Sequence, residues 1–546
     1  MFVRIKKSGK NQYLQLVQSR RERGKVKQHV IGTLGRLDKL NEKRGIEKLV
    51  RSLSRFSEKA LIVISGSTDV EARAKKIGSS LVFEKLWTTS GIRSVLKNIL
   101  KERNFEFDVE RVIFTTVLHR LMTSGSDRNC DYWRRDYKIA GSEEILLHHF
   151  YRAMAFLGEI IDEQKEGSVF SIRRIKDIVE EELFQINRDL FTGLEIVFFD
   201  TTSIYFEGEG GETLGELGNS KDHRPDLKQM IVGVTLDDNG KPLCCEMWPG
   251  NTADVTTLLP IVEVIQKRFG IKRFCIVADR GMISKGTIEH LESKDNPVNY
   301  ILGARMRKVK EVRDKVLSCG GRYREVYPEL NNCKSPSPLK VKEVSVNGKR
   351  YILCLNTKQA RKDAHTRENI INSLQEQLKK GAKSLVGNKG YRKYLKVKKE
   401  SIEIDLDKIK YEERFDGKWV LQTNMKLSSE EVALKYKELW QVENVFRNMK
   451  SLLETRPIFH RGNATITGHV FCSFLALILL KELYKKLEKA GYYFEWNKVK
   501  QDIKSLEEVV IQEDGKKFAI RTECLGNTGK IFNAVGVAIP PTVRQL

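Results

Sequence analysis

The chain has 546 residues, room for three or four domains at roughly 150 residues each, and its 40% hydrophobic and 31% charged residues are typical of a soluble globular protein. Lys and Arg number 97 against 72 Asp and Glu, and the formal net charge of +25 favours a polyanionic partner, nucleic acid first and an anionic membrane second. The longest nearly unbroken apolar run, residues 470–480, is too short for a membrane-spanning helix, which needs about 20 residues. We therefore expect no membrane span.

Cysteine usage and the N-terminus indicate the compartment. Nine cysteines, an odd number, occur without a C-x-x-C pair, so neither a disulfide framework nor a zinc site is expected. The first ten residues contain no apolar segment of the kind found in signal peptides. The sequence therefore predicts a reducing, cytoplasmic environment.

The first fifty residues form the most basic block, with 14 Lys and Arg against 4 Asp and Glu. Segments 13–17 and 28–32 have the pattern of strands, so the basic run between them is predicted to lie at the tip of a hairpin. A solvated tip and a DNA contact both fit this pattern. Residues 1–58 are assigned to a basic N-terminal β-hairpin region. Its candidate DNA-binding side chains are Arg20, Arg21, Arg23 and Lys25.

Residues 59–190 are predicted to form a helical, DNA-binding domain. Apolar residues recur three or four positions apart in residues 175–186, which places them on one face of a helix, and residues 109–122 also have helical spacing. No spacing typical of a helix-turn-helix is distinct, so the helices are assigned without a named motif.

Residues 191–302 have the pattern of a mixed α/β sheet. Two apolar runs, 194–199 and 274–278, predict buried strands, and they end in Asp200 and Asp279. The order strand, strand, strand, helix, strand, helix, strand predicts a mixed sheet with helices packed on it.

Residues 303–424 predict a β-rich, basic insertion into this α/β domain. Asn347-Gly348 and Asp416-Gly417 each lie between two strand-like segments and are hairpin signals. Between them, residues 358–400 contain 13 Lys and Arg against 4 Asp and Glu.

The α/β domain is predicted to resume at residues 425–500. Ser428 followed by Glu431 fits a capping box, which would open a long helix that runs through Lys450. A second, apolar helix over about residues 466–488 is expected in the core. Residues 501–546 are predicted to be a C-terminal tail.

Three acidic residues stand out by their context. Asp200 and Asp279 end buried strands, where α/β sheets present their ligands, and Glu443 lies in the middle of the predicted helix. Singly, each has an ordinary explanation as a cap, a turn residue or part of a solvated face. Together they are the oxygen-rich, incomplete ligand set that Mg²⁺ or Mn²⁺ prefers, and two such ions would support an in-line displacement. Tyr436 and Lys450 lie two helical turns on either side of Glu443 and share its face.

The order and motifs of these residues resemble those of DDE transposases of bacterial insertion sequences, in the branch with a β-rich insertion before the catalytic glutamate. The family's two aspartates lie in motifs that match Phe199-Asp200-Thr201-Thr202-Ser203 and Val277-Ala278-Asp279-Arg280-Gly281-Met282. Its signature of Tyr, Arg, Glu and Lys maps onto Tyr436, Leu439, Glu443 and Lys450, with Leu439 in place of the arginine. The resemblance covers most of residues 190–500 and includes segments 220–226, 249–252 and 456–458.

The resemblance implies an RNase H-like mixed-sheet catalytic domain, formed by residues 191–302 and 425–500 and interrupted by the insertion. It implies a transposase that uses two Mg²⁺ or Mn²⁺ ions to cleave double-stranded DNA at transposon ends and join it to target DNA, as a homodimer on paired ends. The implied catalytic residues and metal ligands are Asp200, Asp279 and Glu443. The DNA contacts expected near them are Tyr436, Lys450, Arg280 and Arg447, with Arg447 supplying the charge that Leu439 lacks.

In relatives with the insertion, the DNA flanks leave through a hairpin intermediate, and an aromatic residue of the insertion stacks on a displaced base. Residues 303–418 contain no tryptophan here. The aromatic candidates are Tyr323, Tyr327, Tyr351 and Trp419.

Two other functions share parts of this pattern. A non-catalytic DNA-binding protein derived from a transposase would keep the basic surfaces, but the presence of all three carboxylates argues against it. A stand-alone nuclease with an RNase H fold would have the same active-site residues, so the sequence does not separate hydrolysis from strand transfer.

Overall fold

The computed structural model describes residues 2–22, 25–42, 45–46, 48–49, 72–161, 172–187, 195–293, 297–327, 338–379, 392–397, 402–513 and 516–546. Two compact units make up the chain. The first consists of Met1–Gly78, Gln501–Gly529 and Ala538–Leu546, and the second of Ser79–Lys500 and Lys530–Val537.

The first unit begins with a three-stranded antiparallel sheet of β1 (Phe2–Ser8), β2 (Asn11–Glu22) and β3 (Lys25–Arg36), followed by α1 (Leu37–Glu42). Strands β2 and β3 pair as far as Glu22 opposite Lys25. The backbone of Arg20, Arg21 and Lys25 therefore lies at the end of a hairpin, as predicted. Arg23 lies outside the described residues. A later strand of this unit is β4 (Ala72–Lys76).

The described residues that follow form six α-helices: α2 (Gly78–Thr89), α3 (Ile92–Leu100), α4 (Val109–Met122), α5 (Asp127–Trp133), α6 (Leu147–Leu157) and α7 (Ile175–Asn187). The two helical stretches predicted from apolar spacing are confirmed as α4 and α7. The Asp108 carboxylate caps α4 by accepting a hydrogen bond from the Arg111 backbone N–H at 3.1 Å. Every residue of α4 is buried, including Glu110 and Arg111, which pair with each other.

A nine-stranded mixed sheet organises the second unit. Its first strands and helices are β5 (Glu195–Tyr205), β6 (Gln229–Leu236), β7 (Pro242–Pro249), α8 (Asp254–Glu263), β8 (Phe274–Ala278), α9 (Lys285–Leu291) and β9 (Asn299–Ala304). β5 and β6, and β6 and β7, pair antiparallel, whereas β5, β8 and β9 run parallel in that spatial order. Apolar side chains of these strands pack with α8 and α9 into one core. The prediction of a mixed sheet with helices packed on it is confirmed.

The inserted segment adds β10 (Arg324–Val326), β11 (Leu339–Val346), β12 (Lys349–Leu355), α10 (Thr357–Lys379), β13 (Leu395–Val397), β14 (Ile402–Ile404), α11 (Leu406–Glu413) and β15 (Lys418–Thr423). The full strand order is β10-β11-β12-β15-β9-β8-β5-β6-β7, so four inserted strands continue the central sheet instead of forming a sheet of their own. β15 pairs with β9, which would otherwise present an unpaired edge.

One predicted hairpin in this segment is confirmed and the other is wrong. Asn347 and Gly348 join β11 to β12, both with the positive φ that such a turn requires. The residues before Asp416-Gly417 form helix α11 instead of a strand. The Asp405 carboxylate caps that helix through the Lys408 backbone N–H at 2.9 Å, and Tyr411 packs on Phe415 four residues later.

The predicted long helix from Ser428 is divided. Ser428 and Glu431 form the predicted capping box at the start of α12 (Ser429–Lys437), which ends before a turn at residues 438–439. Helix α13 (Trp440–Arg447) continues after the turn, and residues 448–452 form a wider π-helical turn. Helix α13 packs on β5 and β6.

A long apolar helix, α14 (Asn463–Lys489), packs on α4 and α6. Among the described residues it alone is long and apolar enough to cross a membrane by length and composition, and 83% of its most apolar stretch is buried inside the protein. Its burial is that of a core helix, as the sequence predicted.

The C-terminal segment, expected only as a tail, is folded. It contains α15 (Trp496–Lys504), β16 (Glu507–Glu513), β17 (Lys516–Arg521), α16 (Thr528–Val535) and β18 (Val543–Gln545). Strands β18, β17, β16 and β4 form an antiparallel sheet in that order. The first unit therefore contains strands from both ends of the chain, a pairing that no local pattern could indicate.

Candidate active site

The central strands bring the three predicted carboxylates to one cavity. The last paired residues of β5 and β8 are Phe199 and Ala278, and the next residues along the two parallel strands are Asp200 and Asp279. Glu443 lies in the first turn of α13, the helix that packs on β5. All three side chains line a cavity of about 360 Å³.

The Asp200 carboxylate lies in an unfavourable electrostatic environment. Burial raises its pKa to about 6, although the Lys221 ammonium and a 2.7 Å hydrogen bond from the Thr201 backbone N–H act in the opposite direction. The neighbouring carboxylates Asp279 and Asp254 raise the pKa further. A cation bound among these groups would relieve the repulsion.

The Tyr436 hydroxyl donates a hydrogen bond to Asp279 Oδ1 at 2.9 Å. Burial, and then the charge of Asp279, hold the pKa of Tyr436 well above its usual value, so the phenol remains a donor. Gly303 on β9 makes room for this contact, because a Cβ there would lie 2.4 Å from the Tyr436 hydroxyl and 2.9 Å from the Arg280 backbone nitrogen. Tyr436, expected to contact DNA, therefore also orients a carboxylate of the cavity.

The Lys450 ammonium is held by a carboxylate that the sequence did not single out. It donates to Asp222 Oδ1 at 2.9 Å, and Arg456 binds the same oxygen at 2.8 Å. Arg447 is exposed on α13, and Leu439 is half-buried in the turn between α12 and α13.

Arg280, predicted to bind DNA, follows Asp279 directly and is exposed. It lines a second cavity, of about 370 Å³, which shares Gly281 with the first. The other basic residues of this second cavity are Arg305, Arg307 and Lys308. Arg305 also fixes the loop after Asp279, by donating to the carbonyl oxygens of Arg280 and Gly281 at 2.9 and 2.7 Å.

Sequence reasoning missed Asp254 and Lys221, which line the carboxylate cavity. Asp254 Oδ1 accepts a hydrogen bond from the Thr201 hydroxyl at 2.7 Å, and its Oδ2 pairs with the Lys221 ammonium at 3.2 Å. Lys221 also donates to the Thr201 carbonyl oxygen at 2.8 Å. Asp254 is the first residue of α8, where an acidic residue is common for helix stability alone, so the sequence carried no distinguishing signal.

The aromatic residues considered as candidates for stacking on a DNA base differ in their exposure to solvent. Tyr351 is wrong as a stacking residue, because it is only 2% exposed and its hydroxyl donates to Glu311 at 2.7 Å. Tyr327 is 67% exposed, whereas Tyr323 and Trp419 are half-buried.

The cavity has the donor chemistry of a site for hard divalent cations, since four carboxylates and a single ammonium line it. Within the described residues, no three of these carboxylates bring their ligand atoms within 4.8 Å of one another, as three clusters elsewhere do. In two of those three clusters, cationic side chains of the protein already contact the cluster residues. Lys176 and Arg268 pair with Asp177 and Glu180, and Arg120 contacts His469.

Two protein families match this chain. The family described as "Transposase DDE domain" matches residues 192–479, and the family described as "IS1634 family transposase, N-terminal domain" matches residues 3–68. The chain belongs to the DDE transposases and is an insertion-sequence transposase, an enzyme that binds DNA, uses divalent metal, and cleaves and transfers DNA strands.

Among solved structures, a piggyBac transposase synaptic complex with hairpin DNA is distantly similar, at 12% sequence identity and a TM-score of 0.41. The match covers 78% of this chain and 79% of that chain. A comparison with curated proteins gives no match.

Proposed function

We propose that Asp200, Asp279 and Glu443 are the catalytic metal ligands of this transposase and hold two Mg²⁺ ions, with Mn²⁺ as a substitute. The observation that carries the proposal is the convergence of three carboxylates, up to 243 positions apart in sequence by their residue numbers, on one cavity. The family resemblance implies two ions, and two divalent ions held together would support an in-line displacement.

The finer fold assignment belongs to the same proposal. Three antiparallel strands, β7, β6 and β5, continued by the parallel strands β8 and β9, support an RNase H-like catalytic domain. The insertion interrupts it between β9 and α12. The predicted boundaries at residues 58, 190, 302, 424 and 500 remain part of this proposal.

The residues around the ligands have distinct roles in this mechanism. When bound, the two ions supply activation of the attacking oxygen and stabilisation of the leaving oxygen. Asp200 and Asp279 hold their places through the Thr201 backbone N–H and the Tyr436 hydroxyl. Lys221 balances part of the negative charge of the cavity from its contact with Asp254.

DNA is proposed to contact basic groups on both units. Arg280 and the second cavity lie next to the carboxylates and would bind phosphates of the strand being cut, with Arg447 exposed on the helix of Glu443. Arg20, Arg21, Arg23 and Lys25 of the N-terminal hairpin would bind phosphates elsewhere on the transposon end. A homodimer on paired ends, acting in the cytoplasm, completes the proposal.

The test compares wild type with Asp200→Asn on a duplex that carries the element's own terminal inverted repeat. The substitution keeps the side-chain volume and removes one metal-binding charge, so cutting with Mg²⁺ should fall by about 100-fold or more while binding in a gel shift persists. Asp226→Asn, a change of an exposed carboxylate outside the cavity, is the matched control and should cut normally. Equal cutting by Asp200→Asn and wild type would remove Asp200 from the ligand set.

A further inference from the structure

Asp222 is a buried carboxylate that binds two cations of the catalytic region. Its side chain is 6% exposed, and its Oδ1 accepts from Lys450 Nζ at 2.9 Å and pairs with Arg456 Nη1 at 2.8 Å. Its Oδ2 is also buried and has no hydrogen-bond partner within the described part of the chain. Burial of this carboxylate is costly, so the arrangement calls for a reason beyond simple packing.

The loop that carries Asp222 is fixed by local hydrogen bonds. The Ser203 hydroxyl of β5 accepts from the Lys221 backbone N–H at 2.8 Å, and the Ser220 hydroxyl accepts from the backbone N–H groups of Asp222 and Arg224. His223 then takes a positive φ of 58°, which turns the chain. Two consecutive residues therefore serve the same region, Lys221 in the carboxylate cavity and Asp222 at the Lys450 ammonium.

The two cations reach Asp222 from separate supports. Lys450 belongs to the π-helical turn that follows α13, the helix of Glu443. Arg456 precedes Ile458, which exchanges backbone hydrogen bonds with Tyr205 and Glu207 at the end of β5. The Arg456 guanidinium also lies over the Tyr205 ring, 5.4 Å from its centre. Each cation is thus held by a different backbone segment, and both side chains contact the same oxygen of Asp222.

The charges of this cluster do not balance. One carboxylate faces two cations, which leaves one positive charge. Lys221, which itself pairs with Asp254, is near enough to affect the same lysine. Burial lowers the pKa of Lys450, Asp222 opposes that effect, and the charges of Arg456 and Lys221 lower it further. A phosphodiester carries one negative charge and accepts hydrogen bonds from paired cations, so it is the group that would balance the cluster.

We propose that Asp222 is a positioning residue that holds Lys450 and Arg456 together, so that both cations bind one phosphodiester of the DNA strand beside the catalytic cavity. Asp222 itself does not contact DNA. The inference rests on the proposed function, and it adds Arg456 and Asp222 to the site. Preorganisation is the physical benefit, because two long side chains that are already fixed lose less entropy when the phosphate binds.

The experiment combines protein variants with single neutral phosphates. Duplexes of the terminal repeat would each carry one methylphosphonate near the cleavage site, and affinity would be measured by gel shift without divalent ions. The proteins are wild type, Asp222→Asn, Lys450→Gln and Arg456→Gln. Asp226→Asn is the matched control, since Asp226 lies in the same loop but is 59% exposed and pairs with Arg224 at 2.9 Å.

One phosphate position should identify the contact. Its neutralisation should weaken wild type and Asp226→Asn by about tenfold, the cost of a charge-assisted hydrogen bond, and should weaken Lys450→Gln and Arg456→Gln much less. Asp222→Asn should also lose most of this sensitivity. A purely structural Asp222 would lower affinity equally at every phosphate position.

Two results would overturn the inference. One is full tenfold sensitivity in a folded Asp222→Asn protein, and the other is coupling of Lys450 and Arg456 to different phosphates. If Asp222→Asn does not fold, as judged by thermal unfolding, the comparison of Lys450→Gln with Arg456→Gln decides alone. Cutting of the unmodified duplex by wild type is measured separately. Failure of the proposed function is therefore not confused with failure of Asp222 to position Lys450 and Arg456.

Discussion

Asp200 has more negative than positive neighbours in the carboxylate cavity. Asp279 and Asp254 both act against its ionisation, while Lys221 and one backbone N–H favour it, and burial adds the largest cost. Such a carboxylate is destabilising in the protein without metal and becomes favourable when a divalent cation binds. Under the proposed metal-binding role of Asp200, the protein loses stability at this position in exchange for metal binding.

This cost predicts a pH dependence of stability. Because the folded-state pKa of Asp200 is about 6 against an ordinary 3.8, folding favours the protonated carboxyl, and stability falls as the pH rises from about 4 through 6. The full cost, present above that range, is roughly 3 kcal/mol from the difference in pKa. Asp200→Asn cannot ionise, so without metal its free energy of unfolding should exceed that of wild type by up to this amount at pH 7.

Urea unfolding of both proteins at pH 4.5 and 7.5, with and without Mg²⁺, measures the effect. The advantage of Asp200→Asn should be small at pH 4.5, large at pH 7.5 and reduced by Mg²⁺, because only wild type gains from binding the ion. Asp226→Asn, with its carboxylate exposed, should show no such gain. An advantage that does not change with pH would contradict the burial of a charged Asp200.

At the scale of elements, the sequence predicted the strands that carry the aspartates because the signal was local. The apolar runs before Asp200 and Asp279 became β5 and β8, and the capping box at Ser428 did open a helix. Asp200 does not end its strand as predicted, because β5 continues to Tyr205 by pairing with β6. The turn at residues 438–439 was missed, because Glu438 and Leu439 are ordinary helix formers and the break depends on tertiary packing. Local patterns thus predict where an element begins better than where it bends.

The missed parts of the site depend on contacts between distant residues. Asp254 meets Thr201 across 53 positions, and Asp222 meets Lys450 across 228. Neither aspartate differs in its own surroundings from a helix-start or loop residue, so a single sequence carries no signal for it. The family resemblance supplied Asp200, Asp279 and Glu443; it covered segment 220–226 without distinguishing Asp222, and it did not include Asp254.

Contact between β9 and α12 gives an element-scale prediction. Gly303→Ala would place a Cβ 2.4 Å from the Tyr436 hydroxyl, which must move and lose its hydrogen bond to Asp279. Cutting should fall by about tenfold, the worth of one hydrogen bond to a charged group. Gly286→Ala, in α9 with open space around it, is the matched control.

A double variant tests whether Gly303→Ala acts by displacing the Tyr436 hydroxyl. In a Tyr436→Phe background the hydroxyl is already gone, so Gly303→Ala should cost clearly less than in wild type, with the contacts to the backbone nitrogen and Cβ of Arg280 remaining. Steady-state cutting rates of the four proteins give the coupling. Equal costs in both backgrounds would show that Gly303 acts through the backbone and not through Tyr436.

Across the whole molecule, charge is distributed over both compact units. Basic residues of the N-terminal hairpin in the first unit contribute to the net charge of +25. In the second unit, Arg280, Arg305, Arg307 and Lys308 of the second cavity also contribute. Arg305, Arg307 and Lys308 lie at the start of the insertion, and four strands of the insertion continue the central sheet of the second unit. DNA bound by these basic groups should lose affinity as the salt concentration rises, because each phosphate contact releases counterions.

The hairpin's share of that affinity is measurable. Replacing Arg20, Arg21, Arg23 and Lys25 together by Gln should flatten the slope of log affinity against log salt by about 0.9 for each phosphate that the hairpin no longer binds, up to about 3.6 if all four side chains bind phosphates. Cutting at saturating protein should survive, because the carboxylates remain intact. The matched control replaces four exposed lysines of the second unit, Lys267, Lys272, Lys285 and Lys489, which changes the net charge equally. If both variants flatten the slope to the same extent, general charge governs binding and the hairpin has no contact of its own; a larger effect at the hairpin places DNA there.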